Sequence, residues 1–160
     1  FARLDMRFAY FLIFQLLSPL LLAETELMKV LDGDTVIVRD SGQMLHVRLL
    51  DIDAPELHQT YGKQSKRSLQ QWCEPPVTLI AKGHDAYGRT LGHLLCNSQD
   101  ASAYQISVGA AWFSSYYSQR RELAELEQRA QTGKRGLWQE INPMPPWQWR
   151  KLYGKNYQRQ

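Results

Sequence analysis

Two short stretches concentrate carboxylates: Asp32-Gly33-Asp34-Thr35, and further along Arg48-Leu49-Leu50-Asp51-Ile52-Asp53-Ala54-Pro55-Glu56. Asp-Gly alone is a common hairpin turn, so the first stretch carries little by itself. The pair is more specific. Asp32 and Asp34 have period-two spacing, so on an extended backbone their carboxylates face one way, and a neighbouring strand edge can bring Asp53 beside them. Such a cluster repels itself and requires a cation. With oxygen donors only, and with His46, His58, His84 and His93 scattered along the chain, the expected ion is a hard one, Ca²⁺ or Mg²⁺, rather than zinc. An EF-hand is excluded because the acid alternation ends at Asp34 and no glutamate closes the loop at the required distance.

Two isolated arginines complete the pattern: Arg48, just before the acidic turn, and Arg89, in Asp85-Ala86-Tyr87-Gly88-Arg89 at a second hairpin tip. A guanidinium grips phosphate oxygens through parallel hydrogen bonds, and its charge offsets what develops on phosphorus in a transition state. Either arginine alone would read as a solvated surface charge. Beside a cation-binding acid cluster, the two point to phosphoryl transfer. A cysteine hydrolase built on Cys73 is a poor alternative, because that residue ends a helix beside Glu74-Pro75-Pro76 and no histidine has a reason to meet it.

The elements that must position these residues follow from periodicity. Leu27 to Leu31, Thr35 to Arg39 and Met44 to Leu50 are short apolar or β-branched runs separated by Asp32-Gly33 and Asp40-Ser41-Gly42, the pattern of a three-strand meander. Gly62 to Trp72 reads as a helix with Leu69 and Trp72 on one face, stopped by Pro75-Pro76. Val77 to Lys82 and Thr90 to Leu95 form a second hairpin. Ala103 to Val108 and Arg120 to Thr132 read as helices, the latter ended by Gly133. Five strands interrupted by a helix and followed by helices predict an α+β fold, a small Greek-key barrel of the oligonucleotide-binding type with about three helices. Such a barrel favours nucleic-acid or saccharide ligands without choosing one.

Of the 160 residues, 44% are apolar and 22% charged, the range of one folded domain with a real core. Phe1 to Asp5 precede Met6, a plausible initiator. Met6-Arg7, the apolar run from Phe8 and the ending Leu21-Leu22-Ala23 predict a secretory signal over residues 1–23, cleaved near Ala23. A spanning helix needs about 20 apolar residues, and this run is shorter and carries Pro19. The expected division is therefore signal 1–23, barrel domain 24–140 and a basic, aromatic tail 141–160. Residues 134–160 hold six basic residues against the single acid Glu140, so the tail is suited to face a polyanion while the body keeps an acidic pocket. Cys73 and Cys96 are the only cysteines. They read either as one disulfide, worth roughly 3 kcal/mol in the chain-entropy view, or as two buried thiols. Export and pairing of the second hairpin favour the bridge.

Val30-Leu31-Asp32-Gly33-Asp34-Thr35, Arg48-Leu49-Leu50, Asp53-Ala54-Pro55-Glu56 and Tyr87-Gly88-Arg89 closely resemble the thermonuclease family, whose best-known member is staphylococcal nuclease. The match runs in order from about Leu27 to Trp138, with Gly136-Leu137-Trp138 resembling the family's closing segment. The resemblance implies that Asp34 and Asp53 ligate Ca²⁺ with the main-chain oxygen of Ala54, and that Asp32 lies in the outer shell. It implies that Glu56 orients or deprotonates the attacking water, that Arg48 and Arg89 stabilise the phosphate, and that Tyr87 touches a terminal phosphate or sugar. It further implies in-line attack on DNA or RNA that leaves a 3′-phosphate and a 5′-hydroxyl. Ala86 and Ser115 depart from the family pattern, standing where the staphylococcal enzyme has a lysine and a stacking tyrosine; Tyr116 or Tyr117 is the candidate replacement, Tyr117 being preferred. Pro143 to Arg150 resembles the tail of exported bacterial members. The alternative is a non-catalytic nucleic-acid-binding barrel, but unpaired carboxylates where a polyanion docks are repulsive unless a cation sits among them. The sequence thus predicts a calcium-dependent endonuclease, periplasmic or secreted and monomeric, with DNA and RNA as its partners and no stable membrane association once the signal is removed.

Overall fold

The computed structural model describes residues 25–157, with side chains to residue 154. The signal expected at 1–23 lies outside the described residues. Strands β1 (Thr25–Val30), β2 (Thr35–Asp40) and β3 (Gln43–Leu49) form the meander. A two-residue strand β4 (Ile52–Asp53) and helix α1 (Gly62–Trp72) carry the chain across to the hairpin of β5 (Val77–His84) and β6 (Thr90–Cys96). The barrel order is β3-β2-β1-β5-β6, closed by parallel pairing of β3 with β6 at Val47↔Thr90, Arg48↔Leu91 and Leu49↔Gly92. This is the predicted five-stranded α+β barrel, and the strand bounds agree to within about two residues.

Alternation along the strands explains the closure. Val36, Val38, Val47, Leu49 and Leu94 are buried inside the barrel, and Leu69 of α1 caps one end. Strand β7 (Gln99–Asp100) leads into α2 (Ala101–Ser107), where the Asp100 side chain accepts from the Ser102 and Ala103 amides and caps the helix. Strand β8 (Trp112–Phe113) pairs antiparallel with β4, α3 (Arg121–Thr132) follows, and a 3₁₀ turn spans Gly136–Gln139. Ile106 and Leu123 bury these helices against the barrel.

The structure departs from the sequence reading at two places. Residues 32–34 form a bend, not the extended run that would aim Asp32 and Asp34 alike. The Asp32 carboxylate turns back to accept the Asp34 amide at 3.0 Å, while Asp34 points inward. The segment expected as a tail contains a further helix, α4 (Pro146–Tyr157), which makes four helices rather than about three. Proline at the first helical position costs no hydrogen bond there, so the proline run starts this helix instead of preventing it. Cys73 and Cys96 are joined in a disulfide, with Cα atoms 5.1 Å apart.

Candidate active site

The register of β2 and β3 sets Thr35 opposite Arg48, and the Leu49 amide donates to the Asp34 carbonyl at 2.8 Å, so Asp34 lies beside the root of Arg48. Antiparallel pairing of β4 with β8 fixes Asp53 opposite Trp112. The Ala54 amide, next in sequence, donates to Asp34 Oδ2 at 2.5 Å, and the Thr35 hydroxyl donates to Asp34 Oδ1 at 2.9 Å. Arg48 spans the two acids: Nη2 is 3.1 Å from both Asp34 Oδ2 and Asp53 Oδ1. Its Nη1 donates to the carbonyls of Leu49 at 2.7 Å and Ile52 at 2.9 Å. A guanidinium held at this many points is preorganised, and side-chain entropy no longer opposes its action.

Helix α1 underlies both acidic segments. Gly33 lies so close to Ser65 and Ala54 that a Cβ there would overlap the Ser65 hydroxyl, and a Cβ on Gly62 would overlap the Glu56 carbonyl. The Ser65 hydroxyl donates to the Ala110 carbonyl at 2.6 Å, and the buried Gln105 amide donates to the Gly33 carbonyl at 2.8 Å and the Ser65 carbonyl at 3.1 Å. Buried hydrogen bonds of this kind are expensive to leave unmade, so they hold the bend in place.

The Asp34 carboxyl is pushed up to about 8, first by burial, with Asp32 and Asp53 adding and Arg48 opposing. Six acids line the cleft, Asp32, Asp34, Asp51, Asp53, Glu56 and Asp85, against three arginines, Arg48, Arg89 and Arg150, and this excess of hard oxygen donors suits a hard divalent cation. Among the described residues, no group of three acidic, histidine or cysteine side chains closes round such an ion unaided.

Asp34, Arg48, Asp53 and Glu56 line one cleft of about 730 Å³, together with Tyr87 and Arg89 from the tip of the second hairpin. Asp32, Ala54 and Tyr117 border the same cleft. Every predicted site residue is thus brought to a single depression. Arg89 is steadied by Asp85, whose Oδ2 accepts from its Nε at 2.7 Å, and its guanidinium lies 5.8 Å from the Tyr87 ring centre. Tyr87 and Tyr117 are 84% and 83% exposed, free to meet a ligand. Tyr116 packs edge-on against Tyr117 and does not border the cleft.

Arg150 also lines the cleft, and sequence reasoning gave it no place there. From α4, its Nη2 contacts Asp53 Oδ2 at 2.7 Å, while Nη1 contacts Asp53 Oδ1 at 3.0 Å and Glu56 Oε1 at 2.8 Å. Its charged form is favoured above the usual arginine range, first by the bond to Asp53. The signal available was Pro146 at a helix start with an arginine one turn later; a charge in a presumed tail gave no reason to look inward.

The profile of the staphylococcal nuclease homologue family matches residues 46–140. A protein of Escherichia coli O157:H7 named as an uncharacterized endonuclease is 37% identical over 136 residues, covering 82% of this chain and 89% of the relative. A micrococcal nuclease of Shigella flexneri is 34% identical over 138 residues, covering 79% of each chain.

Proposed function

The chain belongs to the staphylococcal nuclease homologue family, and on that footing we propose that it is an exported, Ca²⁺-dependent endonuclease that hydrolyses DNA and RNA to 3′-phosphate and 5′-hydroxyl ends. The observation that carries this reading is the convergence of Asp34, Asp53, Glu56, Arg48 and Arg89 on one cleft, with the Arg48 guanidinium bridging both aspartates. Asp34, Asp53 and the Ala54 carbonyl would hold the ion, with Asp32 behind them. Bound there, Ca²⁺ supplies positive charge against the phosphate oxygens and lowers the cost of bringing a polyanion to an acidic pocket.

The rest is done by the chain's own residues. Arg48, fixed by two carbonyls and two carboxylates, and Arg89, fixed by Asp85, would receive phosphate oxygens. Glu56, a third exposed at the cleft, would take the proton of the attacking water. General-base assistance of this kind contributes about 100- to 10,000-fold. Tyr87 and Tyr117 offer rings to sugar or base. The disulfide and the apolar start of the chain support an oxidising destination, periplasmic or extracellular.

The test is digestion of a defined single-stranded oligonucleotide by protein purified from an exporting host. Cutting with Ca²⁺ and none in chelator is expected, and cutting that persists in chelator refutes the metal assignment. Glu56→Ala and Arg89→Ala should each lower turnover by about 100-fold or more while the fold persists. End analysis of the products decides the chemistry: 5′-phosphate ends would reject the proposed direction of cleavage.

A further inference from the structure

Glu56 lies on the turn-rich segment between β4 and α1, which has no sheet or helix of its own to fix a side chain. A base that moves is a poor base, since proton transfer demands hydrogen-bond distance and alignment. Its carboxylate is met by Arg150, whose fork holds Asp53 through both nitrogens and Glu56 through one. The single guanidinium thus links two acids that would otherwise repel each other.

Arg150 is itself delivered by a built interface. Pro146 is fully buried. The Trp147 ring meets Trp112 edge-on at 5.6 Å, and Trp112 is the residue paired with Asp53 across β4 and β8. Gln59 joins the two segments: its Oε1 accepts the Glu56 amide at 3.1 Å, and its Nε2 donates to the Met144 carbonyl at 2.6 Å. The chain entering α4 is therefore registered on the same loop that carries Glu56, and the helix then places Arg150 one turn beyond Pro146.

We infer that Arg150 is a positioning residue for the reaction: it holds the Glu56 carboxylate beside Asp53 in the orientation from which Glu56 serves the attacking water. The inference rests on the nuclease reading above and adds to it a residue from the C-terminal helix. The anchoring of α4 sets this role apart from that of a strap that must leave the cleft before substrate enters.

A double-mutant cycle in the full chain tests it, using Arg150→Met, which keeps the packing stem, Glu56→Ala and the two combined, with kcat and KM measured on one oligonucleotide. Arg150→Met is expected to lower kcat by about 10- to 100-fold with KM within about threefold. In the Glu56→Ala background the same change should cost less than about threefold, because two residues acting as a unit are not additive. Losses that multiply would overturn the inference, as would a loss confined to KM, which means a grip on substrate, or an unchanged or raised kcat, which means a bystander or a latch. Should the Met variant fail to fold by its unfolding midpoint, Arg150→Lys, which keeps the charge but not the fork, carries the same cycle. Failure of the nuclease reading shows in other arms: an inactive unaltered protein, or a fully active Glu56→Ala variant.

Discussion

Asp34 is only 5% exposed, and burial with two neighbouring acids pushes its carboxyl up from 3.8 to about 8. An acid raised in the folded chain keeps a proton that the unfolded chain has already released, so its effect on stability has a definite sign. Stability is greatest below the unfolded value and falls as pH climbs through the window from 3.8 to about 8. In chelator, the melting temperature should decline across that window, and Asp34→Asn should flatten the decline and melt higher than the parent at the alkaline end. Ca²⁺ should raise the parent's melting temperature there and leave the Asn variant nearly unmoved. Scanning calorimetry at several pH values decides it; parallel curves for the two proteins would show that Asp34 is not the group responsible. The acids themselves were legible, because carboxylates gathered this densely in two short stretches have few structural uses. How Asp34 is aimed was not, since it depends on an amide, that of Ala54, that lies 20 residues away.

At the scale of elements, long periodic runs were readable and short pairings were not. Helix α1 was bounded as Gly62 to Trp72 from its apolar face and its proline stop, and the five main strands from alternation. Strands β4 and β8 are two residues each and bear no period, although they fix Asp53. Helix α4 was missed because Pro143 to Arg150 was read only as part of a basic, aromatic tail, when Pro146 is the residue that opens a helix. Close approach of α1 to the acidic loops was equally invisible, since a glycine in sequence does not say what it touches. That contact makes a prediction. Gly62→Ala forces a methyl group into the Glu56 carbonyl, so it should cost about 1–3 kcal/mol and lower activity further than the stability loss explains. Gly42→Ala is the control: with nothing within 4 Å and φ at 81°, it meets only backbone strain, about 1 kcal/mol, with activity intact. Urea unfolding and turnover on both variants separate the two effects, and equal activity losses would disprove a specific push on Glu56.

Across the whole molecule, the chemistry and the covalent tie lie at opposite ends of the barrel. Strand β6 begins beside the cleft, where Leu91 pairs with Arg48, and ends at Cys96, which pairs with Val77 and is bonded to Cys73 just past α1. The bridge fastens the crossover helix to the hairpin across 23 residues of chain, and the chain-entropy view gives such a loop roughly 3 kcal/mol. Neither cysteine is among the residues that line the cleft. The core of valines and leucines runs between the two ends, so the cleft is held by strand register and by α1, α2 and α4 rather than by the sulfurs. Replacing both cysteines by serine should therefore lower the unfolding free energy by about 2–4 kcal/mol. Turnover and KM at 25 °C, where the chain is still folded, should stay within about twofold, because additivity holds between sites without shared partners. Activity that falls in step with stability while circular dichroism reports an intact fold would mean that strain at the Cys96 end reaches Arg48 along β6, and the barrel would then transmit what it is here taken to isolate.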